Sequence, residues 1–468
     1  MSGPMALEPG GAERDALSLR LAAEPLARAR VAESRTPAPR QPRWGADHAA
    51  VDSLAAELAD RIGPAVHPYE VAALLESEGL TAEVIQERYG HPNLFSLAGA
   101  LYRRVPRTFP EPAPPADPWR PDHLRCALRG ALFALPGLAY LLTAPLWHAD
   151  RAVSVLVVAG LVSWAWGQAL GHRAFLRMTS GRREAGRTLL KGAPLGAATA
   201  TVAGAVVSGS GPAVLAAGAQ SVYLAAAGVL LVLGGERLLL AALAPMIVGA
   251  AVLPWWEPGT VLRAGLPLLS LLGAVAAAGW TLRSALSGPA TPDAGRPPLL
   301  RSLPYGLFGL AAGALVLLAG REQPYAVIVL TVSMGPAEWL LYRYRGLSVK
   351  ALRATATPTA FQLRSAAVLA LCLGVYLLPL LPAALLTDTE PAPLLLLAAA
   401  LWTALLLQAF GVAWLPAGIC LAAAAGAGAL TVLPSLPGVD VLSPACGLAA
   451  LCLSACVLRL LGRPAPHA

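Results

Sequence analysis

Glu338 is the residue with the most chemical potential in this sequence, because it is a carboxylate set in an apolar run, AVIVLTVSMGPAEWLLYRYR. A charged group near the middle of a membrane span costs about 2.5–3.5 kcal/mol on insertion scales, so its retention points first to a function. Glu338 reads as a proton or cation site, or as half of a gate closed by Arg343 or Arg345. The plainer alternative is an interfacial salt bridge at the mouth of the span, since Trp339, Tyr342, Arg343, Tyr344 and Arg345 follow at once. Gln168, Gln220 with Ser221 and Tyr223, and Gln408 are neutral hydrogen-bonding groups inside other apolar runs. They suit either a polar cavity for sugar hydroxyls or hydrogen bonds between helices. Arg263 stands near the start of a run, where it could attract an anionic headgroup or snorkel to the interface. Arg173, in the basic loop after the second run, joins Arg343 and Arg345 as a gate candidate.

Other chemistries lack their residues. No Gly-x-x-x-x-Gly-Lys-Ser/Thr segment supports direct ATP use. The six cysteines, at 126, 372, 420, 446, 452 and 456, fall in or beside apolar runs, so neither a disulfide framework nor a metal cage is indicated. Cys452 and Cys456 share a helix face, where they read as small packing residues. Neither catalytic residues nor a cofactor is expected. The scarcity of carboxylates in the spans disfavours a drug/proton antiporter relative to a carrier of amphiphilic cargo.

The elements that must position these groups are about twelve apolar stretches between Ala127 and Leu461. They lie near 127–147, 152–171, 189–207, 212–233, 237–254, 262–281, 302–319, 324–342, 365–386, 392–410, 412–433 and 442–461. Hydrophobic residues make up 56% of the chain and charged residues 13%, with a mean hydropathy of +0.60, so a bilayer is the expected solvent. The net charge of +8 does not call for nucleic acid, because the excess arginines flank the spans. Alternate loops collect Arg173, Arg177, Arg182, Arg183, Arg187 and Lys191, and later Arg343, Arg345, Lys350, Arg353 and Arg364. The other loops hold only Arg151, Arg263 and Arg321, with Asp150, Glu257, Glu322, Asp388, Glu390 and Asp440, and the aromatic Trp147, Trp255 and Trp256. The positive-inside rule then predicts an inner- or plasma-membrane protein with both termini in the cytoplasm. Nothing near the start resembles a cleaved signal peptide.

Residues 1–47, rich in Ala, Pro and Arg, are expected to be a disordered tail. Residues 48–105 carry apolar side chains at helical spacing, with Thr81 as an N-cap and Gly63, Gly79 and Gly90 as stops, and predict a small acidic helical bundle. A Pro-rich linker, 106–124, leads to a first six-helix half, 125–283. A linker at 284–300, a second half at 301–462 and a tail at 463–468 complete the division. The expected fold is thus an all-α membrane protein of about twelve transmembrane helices in two six-helix halves, preceded by a small cytoplasmic helical unit.

The two halves match one another weakly. Val162, Ser163, Gln168 and Arg173 superpose at an offset of 170 on Val332, Ser333, Glu338 and Arg343. Leu128, Leu132, Phe133 and Leu135 fall similarly on Leu303, Leu307, Phe308 and Leu310. Six spans per half preserve orientation, so the repeat axis would run along the membrane normal. Two bundles facing each other across a cavity suit alternating access.

The run QALGHRAFLRMTSGRREAGRTLLKGA, residues 168–193, resembles the loop after span two in the multidrug, oligosaccharidyl-lipid and polysaccharide exporter superfamily. That resemblance, joined to the twelve-span count, implies a flippase or exporter of lipid-linked or polymeric saccharide, without enzymatic activity. The N-terminal helical unit departs from the superfamily pattern and is expected to dock a cytoplasmic biosynthetic protein or to cap the inner face. Two other classes stay open. A polyprenyl-dependent membrane glycosyltransferase would need acids in an external loop, for which Asp388, Glu390 and Asp150 are the candidates. A non-transporting scaffold would recruit a polysaccharide synthase through the acidic N-terminal helices.

Overall fold

A computed structural model describes residues 48–106, 120–146, 149–208, 211–290, 297–355, 357–432 and 441–463. The expected tail at 1–47, most of the Pro-rich linker, Trp147, Asp440 and residues 464–468 lie outside them, and the side chain of Asp150 is not described. Among the described residues every regular element is helical, and the chain divides into two compact units near residue 118.

The N-terminal unit holds α1 (His48–Glu57), α2 (Ala59–Ile62), α3 (Pro68–Ser77), α4 (Ala82–Tyr89) and α5 (Leu94–Arg104). Local chemistry sets their ends. Thr81 Oγ1 accepts from Val84 N at 3.4 Å, Asn93 Oδ1 accepts from Ser96 N at 2.9 Å, and Pro68 occupies the first turn of α3. Gly90 closes α4 at a φ of 62°, a left-handed position that a side chain would strain. One face of each longer helix then meets in a single core of Val51, Val71, Leu75, Ile85, Leu97 and Leu101.

The second unit contains α6 (His123–Ala134), α7 (Gly137–Thr143), α8 (Ala149–Met178), α9 (Arg182–Ser208), α10 (Pro212–Val232), α11 (Glu236–Val252) and α12 (Thr260–Leu286). After these come α13 (Leu303–Glu322), α14 (Pro324–Arg353), α15 (Pro358–Leu377), α16 (Leu380–Leu386), α17 (Pro391–Ala409), α18 (Trp414–Val432) and α19 (Leu442–Leu461). Eleven segments among the described residues are long and apolar enough to cross a membrane. They coincide with the expected spans except the fifth. That place is taken by α11, whose 17 residues rise about 26 Å at 1.5 Å each, just short of a roughly 30 Å hydrocarbon core. The turn before it uses Gly234 at a φ of 76°, which makes a hairpin of α10 and α11. Pro136 separates α6 from α7 and Pro379 separates α15 from α16, each breaking one apolar segment in two. Pro194, Pro245, Pro267 and Pro336 are accommodated inside helices.

Buried apolar residues of this unit fall into two large clusters. One runs from Leu132 to Ala285 and the other from Phe308 to Leu461, so the division at 284–300 also separates two cores. The halves touch along two seams, α6 against α14 and α8 against α13. In spans these are one with eight and two with seven, which exchange under the twofold relation that the sequence repeat suggests.

Candidate functional site

Between the two seams lies a cavity of about 350 Å³. Its longest wall is α14, where Val327, Leu330, Thr331, Met334, Ala337, Glu338 and Leu341 face inward at intervals of three and four residues, as one face of a helix must. Opposite stand Phe133 of α6, Trp164 and Gln168 of α8, and Phe308 of α13; Tyr376 and Trp402 reach in from α15 and α17. Gln168 and Glu338, paired by the sequence repeat, thus share one cavity, each from the middle of a long helix and each under a tenth exposed.

The Glu338 carboxylate is held by an arginine from the other half. Arg129 Nη1 donates to Glu338 Oε1 at 2.8 Å, and both residues are buried. The same guanidinium donates from Nε and Nη2 to Glu236 Oε1 at 3.0 and 2.9 Å, and from Nη2 to Leu231 O at 3.4 Å. Arg125, one turn earlier on α6, adds its Nε to Glu236 Oε1 at 2.9 Å. Two arginines and two carboxylates therefore form one network at the end of the bundle where the Arg-rich loops lie. Glu236 is fixed there by being the first residue of α11, and Leu231 O is one of the last carbonyls of α10, which helical bonding leaves without a donor. Arg182 Nη2 serves Leu233 O in the same way at 2.9 Å.

The expected partners of Glu338 are elsewhere. Arg343 lies 5.6 Å from the Trp339 ring, and Arg345 is buried over the Phe410 ring at 5.0 Å. The described ion-pair partner of Glu338 is Arg129. Arg173 donates from Nη1 to Pro297 O at 3.0 Å, which ties α8 to the segment before α13.

The remaining polar candidates lie off the cavity wall. Gln220 Nε2 donates to Leu156 O at 3.3 Å, between α10 and α8. Tyr223 packs against the first-half core with no described partner for its hydroxyl, and Gln408 is 2% exposed within α17. Arg263 donates to Pro258 O at 3.0 Å and to Leu142 O at 3.4 Å, so its head is engaged by the backbone of α7 and the adjoining turn.

Arg125, Arg129 and Glu236 escaped the sequence reading. A signal existed: Arg125 and Arg129 are four residues apart, hence on one helix face, and Arg129 lies inside the first apolar stretch. Glu236 follows Gly234 and Gly235, where an interruption of the apolar run marks a turn rather than a partner for an arginine. Among the described residues no group of three or more His, Cys, Asp or Glu side chains could hold a metal ion.

No family model matches the chain, and no curated protein matches it. Solved structures do. An outward-facing conformation of a multidrug resistance MATE family transporter of the MOP superfamily aligns with 74% of this chain and 97% of its own length, at 15% identity and a TM-score of 0.41. A MATE structure in the bent conformation aligns over 74% and 96% at 15% identity and 0.39. These neighbours come from the superfamily that the loop after span two resembles.

Proposed function

We propose that this chain is a multi-pass transporter of the cell membrane that moves an amphiphilic cargo, a lipid-linked saccharide, between leaflets by rocking its two halves about the cavity they enclose. The observation that carries the reading is the cavity itself. It sits between two separate cores, it is mostly apolar, and its polar groups come from both halves, Gln168 from one and Glu338 from the other. An apolar wall with a few placed polar groups suits a molecule with a lipid part and a hydrogen-bonding head. The basic loops at one end favour an orientation with both termini in the cytoplasm. The acids of the N-terminal unit favour docking of a biosynthetic partner there.

Deleting the gene and measuring surface polysaccharide with lipid-linked saccharide in the inner leaflet tests this. Loss outside with accumulation inside is expected. Loss of both would move the function to synthesis, as an enzyme or scaffold.

One observation favours a second cargo. Phe133, Trp164, Phe308, Tyr376 and Trp402 surround a cavity that also holds a carboxylate, and aromatic faces with a negative charge suit a lipophilic organic cation. Energy-dependent extrusion of a fluorescent lipophilic cation, lost in the deletion strain while the envelope stays normal, would select it.

A further inference from the structure

We propose that Arg129 is the chain's own occupant of the Glu338 carboxylate: an internal cation that loading of the cavity displaces, whereupon it stays on Glu236 and the two halves unlatch along α6 and α14. This assignment rests on the transport reading above.

Glu338 has two roles at once, because it is a wall of the cavity and the acceptor of an ion pair that runs between the halves. Arg129 is shared unequally. A guanidinium has five donors in a rigid fork. Its Nη1 donates to Glu338, whereas Nε and Nη2 donate to Glu236 and Nη2 also to Leu231 O, both in its own half. Neutralising Glu338 therefore removes the ion pair across the seam, leaving at most a weaker neutral hydrogen bond, while Arg129 stays held by Glu236. A buried ion pair gains little net free energy over its desolvation, so such a bond can be exchanged for a loaded charge without a large penalty.

Among the described residues no ion pair crosses the other seam. At α8 and α13 the imidazole of His172 stacks on Tyr305 at 3.7 Å and meets Ser302 Oγ at 3.1 Å, while Gln168 packs on Gly309. That seam is closed without an ion pair among the described residues and acts as the hinge, whereas the α6–α14 seam is closed by one and opens. The shared chemistry of the opener is a positive charge at Glu338, from a proton or from a cationic headgroup. The charged and titratable groups around Glu338 are Arg129, Arg125 and Cys126 on α6, Glu236 on α11 and Tyr342 on its own helix.

Cys126 reports the state of this seam. The residue is 4% exposed, and its carbonyl oxygen lies 3.0 Å from where a side chain on Gly335 would begin. Full-length protein in lipid nanodiscs is treated with a maleimide, and modification of Cys126 is followed by peptide mass spectrometry. Glu338→Gln and Arg129→Gln should each speed modification about tenfold or more by raising the open population, whereas Glu236→Gln, which keeps the pair across the seam, should change it less than about twofold. Wild-type protein should respond the same way to acidification if a proton is the opener, or to tetraphenylphosphonium at constant pH if a cationic cargo is. An unchanged rate in Glu338→Gln, or a Glu236→Gln protein as open as Glu338→Gln, would overturn the latch. A wild-type seam indifferent to both openers would overturn the displacement, and that arm needs no variant to fold. A seam that responds as expected beside a normal envelope in the deletion strain would keep the latch and reject only the saccharide cargo.

Discussion

Gly130 and Gly335 meet backbone to backbone where α6 crosses α14: a side chain built on Gly130 would begin 2.9 Å from Gly335 Cα. At the second seam Gly306 plays the same part, since its side chain would begin 3.1 Å from Ala165 O. Ala165 is 170 residues before Gly335, the offset found between the second and eighth spans. Without a hydrophobic drive between helices in lipid, such close approach supplies much of their attraction. Gly130→Val should therefore force the helices apart, lengthen the Arg129–Glu338 bond and lower stability by about 1–3 kcal/mol. Thermal unfolding in detergent measures this, with Gly137→Val, whose Cβ would meet no neighbouring atom within 4 Å, as the control.

The network that follows one turn along α14 predicts an order of severity. Removing Arg129 strands Glu338 and leaves Glu236 with Arg125 alone, whereas removing the Glu338 charge leaves Arg129 on Glu236. Breaking a buried pair from the side that leaves an uncompensated charge costs about 3–5 kcal/mol. Arg129→Leu should thus lower the melting temperature clearly more than Glu338→Gln. Equal losses would mean that Glu236 does not hold Arg129 by itself.

Below the ion-pair scale, the N-terminal unit carries a pH signature. The His91 imidazole is partly buried, and it faces Arg104, Arg103 and His48, so its pKa lies below the ordinary 6.5. Its ring nitrogen Nδ1 meets Ser96 Oγ at 2.9 Å. A base whose folded pKa is depressed binds fewer protons folded than unfolded. Its stabilising share is complete above the unfolded pKa, declines as pH falls through about 6.5, and levels off once the folded form also titrates. Amide hydrogen exchange of α4 and α5 in the full chain should quicken as pH drops from 7.5 towards 5, after correction for the intrinsic rate. His91→Gln should flatten that extra dependence.

Much of this architecture is legible in residue patterns because apolar length is a strong signal in lipid. The spans stand where the hydropathy places them, and even the short α11 does, since Gly234, Gly235 and Glu236 interrupt forty apolar residues that could not form one crossing. The repeat between Gln168 and Glu338 survives as a shared cavity. What the pattern hides is who meets whom across a seam. Arg343 and Arg345 are near Glu338 in sequence but lie on α14 itself: Arg343, at i+5, is on another face, and Arg345, at i+7, shares the face but stands two turns, about 10.5 Å, farther along. Arg129 is 209 residues away and arrives only because α6 and α14 cross at two glycines. Tertiary ion pairs of that kind leave no local spacing. Gln220, Tyr223 and Gln408 carry the same residue types as a cavity lining, yet helix rotation, which short polar motifs do not encode, turns them into helix contacts.

The cavity yields the most direct test of transport itself. Thr331 faces it from α14, and its hydroxyl is already satisfied by Val327 O at 2.6 Å, so the side chain contributes shape more than a free polar group. Thr331→Trp would place a rigid indole in a space of about 350 Å³ and narrow the passage between Gln168 and Glu338. Because the space already exists, folding should survive: the variant should elute as wild type and melt within a few degrees of it. Transport, measured as surface polysaccharide restored to the deletion strain, should fall about tenfold or more, a loss equal to about 1.4 kcal/mol of cargo binding. Thr331→Val keeps the volume and should transport normally. If the Trp variant transports as well as wild type, the cargo does not pass between Gln168 and Glu338. The pathway would then have to be sought at the lipid-facing side of the halves rather than between them.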